Sequence, residues 1–254
     1  MITRPQQSHR KPLLIVVTIM LLFGIGYLIN KNLYNREEAS WQVQQPATST
    51  MVEEKPVPQP EPIKPIPPTL ALDVPFTPQA PTANWDELHN EACEEASAIM
   101  AYAYFNDIAS LPASYVETKI SELTQWQTDN YGYYLSINNS EMVKMLREAF
   151  DLKAELVDMS EEAIKRALTD DKLVILPANG QMLGNPNFTP PGPIYHMLVI
   201  KGFNTNGFIT NDPGTRRGKD YFYTYETLYN SNGNWSHTEH KVDLTDKQVI
   251  IVSK

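Results

Sequence analysis

The sequence predicts an α+β fold for the part of the chain that follows residue 70. Apolar residues recur at helical spacing across 92–105, 113–126 and 140–150, and Ser160 is a typical N-cap for a further helix, "SEEAIKRAL". Runs rich in β-branched and aromatic residues cluster late, in "KLVILPA", "HMLVIKGF", "GFITND", "YFYTY" and "KQVIIVS". Because helices precede strands and do not alternate with them, the order indicates an α+β domain, not repeated βαβ units.

An uncharged apolar run, "LLIVVTIMLLFGIGYLI", occupies residues 13–29. A helix of this length rises about 25 Å, slightly less than a bilayer core of about 30 Å, and the flanking Lys11 and Lys31 can lie at the interfaces. No small-x-small site closes the run, so the sequence favours an uncleaved transmembrane signal anchor over a cleaved secretory signal. Residues 1–12 are then a cytoplasmic tail, and the chain beyond the anchor is exported.

Residues 30–70 are predicted to be a linker. Their second half, "KPVPQPEPIKPIPP", favours extended polyproline II and acts as a semi-rigid spacer. A proline-rich ligand for a partner domain is the alternative, and a stalk that lifts a domain off the membrane is the simpler interpretation. Residues 71–254 remain as one domain, long enough to bury a sizeable core.

The charge of the chain changes sign shortly after the apolar segment. Residues 1–36 carry five Lys/Arg and no acidic residue, which leaves 16 basic and 30 acidic residues, a net charge of −14, in the remainder. Such an acidic domain repels phosphate backbones, so we expect no nucleic-acid partner.

Cys93 is the only cysteine of the chain, so it forms no internal disulfide and supplies no multi-cysteine zinc site. It is either a small buried side chain or a reactive thiol. Its place in the first turn of a predicted helix favours the thiolate, because unpaired N–H groups and the positive end of the dipole lie there. Glu91, Glu94 and Glu95 surround it, and we expect them to complement the same dipole from the solvent face.

His196 is the histidine best placed to act as a base for this thiol. It begins a predicted strand whose hairpin partner ends at Asp212, and a carboxylate there can fix the tautomer of the ring. Strict pairing about the turn does not bring the two together, so we expect a bulge near Gly202. Asn211 is the alternative partner, because adjacent strand residues face opposite sides.

Few other signals in the sequence point to chemistry. "HTEH", His237 to His240, has metal-like spacing if helical, but its surroundings, "NSNGNWS", are typical of a loop, and two solvated histidines are the favoured interpretation. We expect no metal and no cofactor. The chain has no nucleotide-binding loop, no G-x-S-x-G elbow and no H-E-x-x-H helix.

Three blocks, "VPFTPQAP", "ACEEASAIMAYAYF" and "HMLVIKGFNTNGFITNDPG", resemble the C39-like cysteine peptidases of the papain-like superfamily. The resemblance implies a papain-like fold, in which the helix bearing Cys93 packs on an antiparallel sheet. It further implies that Gln79 helps to form the oxyanion hole, Cys93 attacks, His196 is the base and later the acid, and Asp212 orients His196. The chain departs from the family pattern at Ala92, where glycine is common.

These expectations together describe a membrane-anchored bacterial cysteine peptidase that faces the outside of the cell. It hydrolyses amide bonds of a peptide or protein substrate through a thioester acyl-enzyme. Two alternatives stay open. A transglutaminase-like acyl transferase uses the same residues with an amine acceptor, and a catalytically silent domain binds peptide or cell-wall material.

Overall fold

The structure, a computed structural model, describes residues 64–254. The predicted cytoplasmic tail, the predicted anchor at 13–29 and most of the predicted linker lie outside these residues. Across 64–254 the structure contains no helix of the length and apolarity needed to cross a bilayer.

The predicted helices and strands are present in the expected order, together with elements that the sequence did not predict. The helices are α1 (Glu87–Asn90), α2 (Cys93–Phe105), α3 (Ala113–Tyr131), α4 (Asn139–Phe150), α5 (Glu161–Thr169) and α6 (Tyr225–Ser231). The strands are β1 (Leu70–Ala71), β2 (Lys153–Asp158), β3 (Leu173–Ala178), β4 (His196–Phe203), β5 (Gly207–Asn211), β6 (Tyr221–Thr224), β7 (Asn234–Ser236), β8 (Lys241–Asp243) and β9 (Gln248–Ser253).

Seven strands form one antiparallel sheet in the order β2-β9-β3-β4-β5-β6, with β1 paired to β4 beside this path. Every residue of β3 and of β4 is buried, as expected of central strands covered on both faces. Strands β7 and β8 form a separate two-stranded sheet. Helices packed on an antiparallel sheet make the domain α+β, which confirms the predicted fold class.

The hairpin between β4 and β5 contains the expected irregularity. Its register shifts between Ile200 and Gly202, so Lys201 is the extra residue of a bulge. A Cβ on Gly202 would lie 2.5 Å from the carbonyl oxygen of Leu70, which explains the glycine where β1 crosses. Beyond the bulge Val199 pairs with Asn211. Asp212, the residue after Asn211, therefore lies diagonally across from His196 on the same face of the sheet.

Helix α2 is enclosed on its sheet side and on its helix side. It packs against β4, α3 and α4, and small alanine side chains let it approach them closely. Its first turn has no solvent face, because Glu94 is 2% exposed and Glu95 is 1% exposed. The expectation that these glutamates lie at the surface is therefore wrong. Charge alone favours a solvent-exposed position for a side chain in a first turn, but the neighbouring elements bury both glutamates.

Candidate active site

His196 and Asp212 form a buried hydrogen-bonded pair. The ring Nε2 lies 2.8 Å from Oδ1 of Asp212, and both side chains are almost fully buried. Burial opposes ionisation of Asp212. The positive charge that His196 carries when protonated, its hydrogen bond and those of Tyr223 and Gly214 outweigh burial and hold the pKa of the carboxyl below its usual value. Because an ionised carboxylate only accepts hydrogen bonds, Nε2 carries the ring proton and Nδ1 is left as the basic nitrogen.

Three further groups hold Asp212 in place. The backbone N–H of Gly214 donates to Oδ1 at 2.9 Å, while the Tyr223 hydroxyl, at 2.6 Å, and the Asn185 amide, at 3.1 Å, donate to Oδ2. Four donors therefore satisfy both oxygens, which stabilises the charged form in a buried setting. The carboxylate is a fixed support for the ring of His196.

Asn211, the alternative partner of His196, points elsewhere. Its amide donates to the carbonyl oxygens of Val74, at 3.1 Å, and Pro75, at 3.4 Å, and its own oxygen accepts from the backbone N–H of Asp220. The side chain thus ties the segment before the site to the sheet.

Cys93 is the first residue of α2 and lies beside the start of β4. The Ser97 hydroxyl, one turn on, donates to the carbonyl oxygen of Met197, and the backbone N–H of Met197 is close enough to the thiol to lower its pKa. The helix start that was predicted from the sequence therefore brings the sulfur next to the residue that follows His196.

The thiol itself makes a contact that the sequence did not suggest. Its Sγ–H donates to Oε2 of Glu94 at 2.9 Å, and within residues 64–254 no hydrogen bond joins it to the ring of His196. Burial first, and then the charge of Glu94, raise the pKa of the Cys93 thiol well above its ordinary value. The expected thiol–imidazole hydrogen bond is not formed in this state.

Gln79 is buried between the loop after Asp212 and the end of α1. Its backbone N–H donates to the carbonyl oxygen of Pro213 at 2.9 Å. Both N–H groups of its side-chain amide are used, because Nε2 donates to His89 O at 2.8 Å and to Asn90 O at 3.0 Å. Its Oε1 is buried without a partner. Both donors of the amide are thus occupied by the end of α1.

His89 links α1 to α3 through hydrogen bonds of both ring nitrogens. Its Nδ1 lies 2.7 Å from Asp86 and its Nε2 lies 2.7 Å from Glu117. Burial disfavours the charged ring, but the two carboxylates outweigh burial and raise the pKa of His89 above its usual value. A protonated ring satisfies both carboxylates and presents the backbone carbonyl that Gln79 binds.

Comparison with known proteins identifies the family. Residues 71–242, more than half of the chain, match the Peptidase_C39 like family. The chain belongs to this family. Among solved structures, a C39-like peptidase from Bacillus anthracis is similar to the chain at 14% sequence identity and a TM-score of 0.48, over 73% of this chain and 98% of that one. No curated protein matches the chain.

In this C39-like chain, Cys93 and Gln79 line a cleft of about 1250 Å³. Exposed apolar side chains, Trp85, Leu135 and Ile194, lie along it. The proline-rich loop that precedes β4 also contributes, and its Phe188 packs edge-on against the ring of His196 with 5.4 Å between ring centres. Although Cys93 is only 4% exposed, the cleft reaches it.

The wall of this C39-like cleft contains His237, one of the two histidines expected to be solvated. Its Nε2 lies 2.8 Å from Glu141 and 3.1 Å from the hydroxyl of Tyr133, so it is held by the start of α4. The side chain of His237 is still 36% exposed, so it is solvated in part and also bound to α4, on which "HTEH" folds back after β7. The described residues contain no group of side chains able to hold a metal ion.

Two kinds of site residue escaped sequence reasoning. Tyr223 and Asn185 support Asp212 from β6 and from the proline-rich loop, and their distance along the chain gives no local signal. Glu94 is adjacent to Cys93 in the sequence, but no sequence pattern indicates that its side chain points into the protein.

Proposed function

We propose that the chain is a cysteine peptidase in which Cys93, His196 and Asp212 act as nucleophile, base and orienting carboxylate. The observation that carries the proposal is the buried His196–Asp212 pair at the start of β4, beside a helix whose first residue is the only cysteine. That cysteine lines a cleft of about 1250 Å³, which offers space for part of a peptide.

The chemistry follows from the proton positions. His196 takes the thiol proton of Cys93 at Nδ1, and the thiolate attacks the carbonyl carbon of the scissile amide. The imidazolium, stabilised by Asp212, then gives this proton to the leaving amine, and a thioester remains on Cys93. Water attacks the thioester, with His196 accepting its proton, and the carboxylic acid leaves as the thiol is regenerated.

The developing oxyanion is met by the backbone N–H of Cys93 and by the side-chain amide of Gln79. In the state described here the Gln79 amide is bound to two carbonyl oxygens. Its role therefore requires that Nε2 exchange one of these carbonyls for the oxyanion when substrate is bound.

An acyl-enzyme adduct on Cys93 is the direct test. Full-length protein is incubated with a peptide library, quenched in acid and measured by intact mass. We expect adducts on wild type and none on Cys93→Ser or Cys93→Ala. Undiminished hydrolysis by Cys93→Ala in a folded chain would end the proposal. Addition of a primary amine to a glutamine donor separates hydrolysis from transglutaminase-like transfer by the products formed.

We further propose that residues 13–29 anchor the peptidase in the membrane and that residues 71–254 lie outside the cytoplasm. The uncharged apolar run supports this location. Protease added to intact cells should cut the domain while the N-terminal tail stays protected. Recovery of the uncut chain in the soluble fraction after lysis would contradict the anchor.

A further inference from the structure

The carboxyl group of Glu94 is fixed against the reacting sulfur. Its Oε2 accepts the Cys93 thiol at 2.9 Å, and its Oε1 accepts the backbone N–H of Ile137 at 3.1 Å. Ile137 belongs to the turn before α4, and the capping box between Asn138 and Glu141 holds that turn in place. With both oxygens bound and almost no exposure, the carboxyl cannot swing to solvent without breaking these contacts.

The surroundings of Glu94 make its charge costly. From α2 it faces Cys93 and Glu95, and from the preceding turn it faces Glu91. On the β4 side lie His196 and the buried hydroxyl of Tyr195, so His196 is the only group here that can become positive.

These groups set the ionisation of the carboxyl. Burial is the main cause that raises the pKa of Glu94 to about 7, and the negative charge of Glu91 adds to it. Hydrogen bonds and the charge of His196 act in the opposite direction and do not cancel it.

We infer that Glu94 is a further catalytic residue, whose hydrogen bond with Cys93 reverses direction when the carboxyl gains a proton. Ionised, Glu94 accepts the thiol S–H and keeps the nucleophile protonated. Protonated, it donates Oε2–H to the sulfur and stabilises the thiolate. The inference rests on the proposed function, because it requires Cys93 to be the nucleophile.

The protons balance across three groups. In the active form two protons are present, one on Oε2 of Glu94 and one on Nδ1 of His196, and the sulfur is a thiolate. Loss of one proton to water at higher pH leaves the form with a thiol, an ionised Glu94 and a neutral ring. This form is silent, although the histidine is in its basic state. Gain of a proton at lower pH converts the thiolate to a thiol, so activity passes through a maximum.

An ordinary cysteine behaves differently, because its reactivity rises with pH as the thiolate fraction rises. Here the reactivity of Cys93 should fall above about pH 7, by roughly tenfold for each further pH unit while the two-proton form is being lost. Since Cys93 is the only cysteine, alkylation of the full-length protein reports this one site.

The experiment measures the rate of iodoacetamide alkylation from about pH 5 to pH 9, by intact mass, in the wild type, Glu94→Gln, Glu95→Gln and His196→Gln. In Glu94→Gln the introduced amide can accept from Ile137 and donate to the sulfur, but it cannot ionise. We expect the fall at high pH to disappear, with a rate about tenfold above the wild type near pH 8.

Glu95→Gln is the matched control. Glu95 is equally buried and adjacent, but it pairs with Gln127 and does not touch the thiol. Burial, and then the charge of Glu94, raise the pKa of Glu95 above its usual value. Because this carboxyl has no hydrogen bond with the sulfur, we expect Glu95→Gln to keep the fall in rate at high pH.

Each outcome decides between the two proposals. A wild-type alkylation rate that rises steadily with pH overturns the role of Glu94. This measurement uses the wild type alone, so it does not depend on whether any variant folds. A His196-dependent rate with the same pH profile in Glu94→Gln also overturns that role and leaves the peptidase proposal standing. A rate that is unchanged in His196→Gln, with the profile of a free thiol, overturns the peptidase proposal itself.

Discussion

The Nε2 atom of His196 lies 2.8 Å from Oδ1 of Asp212, and three other donors hold the same carboxylate. Asp212→Asn keeps the shape of the side chain but removes the charge that stabilises the imidazolium. We expect kcat to fall by about 10²- to 10⁴-fold with a smaller change in KM, in a chain that still folds.

Steady-state kinetics on a cleaved peptide, together with thermal unfolding, checks this prediction. Asp220→Asn is the matched control, because Asp220 lies in the same loop but pairs with Lys201 at 2.6 Å, away from the ring. If Asn211→Ala lowered kcat while Asp212→Asn did not, the orienting residue would be Asn211.

Gly214 leaves room for the ring of His196. A Cβ at this position would lie 2.7 Å from Phe188 and 2.9 Å from Cε1 of His196, closer than side chains approach. We expect Gly214→Ala to displace the ring and to lower kcat by about tenfold or more, since misplacement by about 1 Å costs up to about 10²-fold. Gly132→Ala is the comparison, because nothing lies within 4 Å of its Cβ position and its φ of +84°, at the end of α3, strains the backbone away from the His196–Asp212 pair. Equal kinetics for both variants would show that the ring does not need this space.

Gln79 binds two backbone carbonyl oxygens through one amide group. Gln79→Glu places a carboxylate against the carbonyls of His89 and Asn90, so we expect the free energy of unfolding to fall by about 1–3 kcal/mol. Gln79→Ala removes the proposed oxyanion donor and should lower kcat by about 10²- to 10³-fold. Gln125→Ala, at an exposed position of α3, controls for loss of a glutamine. Full kcat in Gln79→Ala would remove Gln79 from the oxyanion hole.

The two hydrogen bonds of His89, to Asp86 and to Glu117, form a clasp between α1 and α3 and predict that the free energy of unfolding depends on pH. The folded pKa of His89 is raised, so its contribution is fully present below the unfolded pKa of 6.5 and is lost as pH rises through the folded value. Because the carboxylates are partly exposed, we expect only about 1 kcal/mol. Urea unfolding of the wild type and of His89→Gln at about pH 6 and about pH 9 checks this, because the difference between the two proteins should shrink at the higher pH. A difference that stays constant or grows would contradict the clasp.

Much of the fold follows from local patterns. Helix α2 begins at Cys93 as the periodicity of "ACEEASAIMAYAYF" predicts, and β4 begins at His196. The bulge beside Gly202 was also expected, because without it the turn and the His196–Asp212 pair were incompatible. Strand β2 escaped prediction, since its alternation of charged and apolar residues is short and it pairs with β9 from the far end of the chain.

The candidate site was less accessible to sequence reasoning than the fold. Cys93, His196 and Asp212 stand at the ends of regular elements, where topology constrains them. The contacts of Glu94 and Tyr223 depend on the direction in which each side chain points, and that direction depends on the elements packed around it. Charge suggested that Glu94 faces water, but enclosure of α2 by the sheet and two helices decided otherwise.

Strand β9 is the last strand of the described chain, yet it lies inside the sheet, between the edge strand β2 and β3. Until residues 248–253 have been synthesised, β2 has no neighbouring strand to pair with and one edge of β3 is unpaired. The sheet therefore cannot be completed before the last strand is made. A chain that lacks these residues should be degraded by protease at concentrations that the complete chain survives. For a polypeptide threaded across a membrane from its N-terminal side, such late closure would delay folding until the whole domain has passed through.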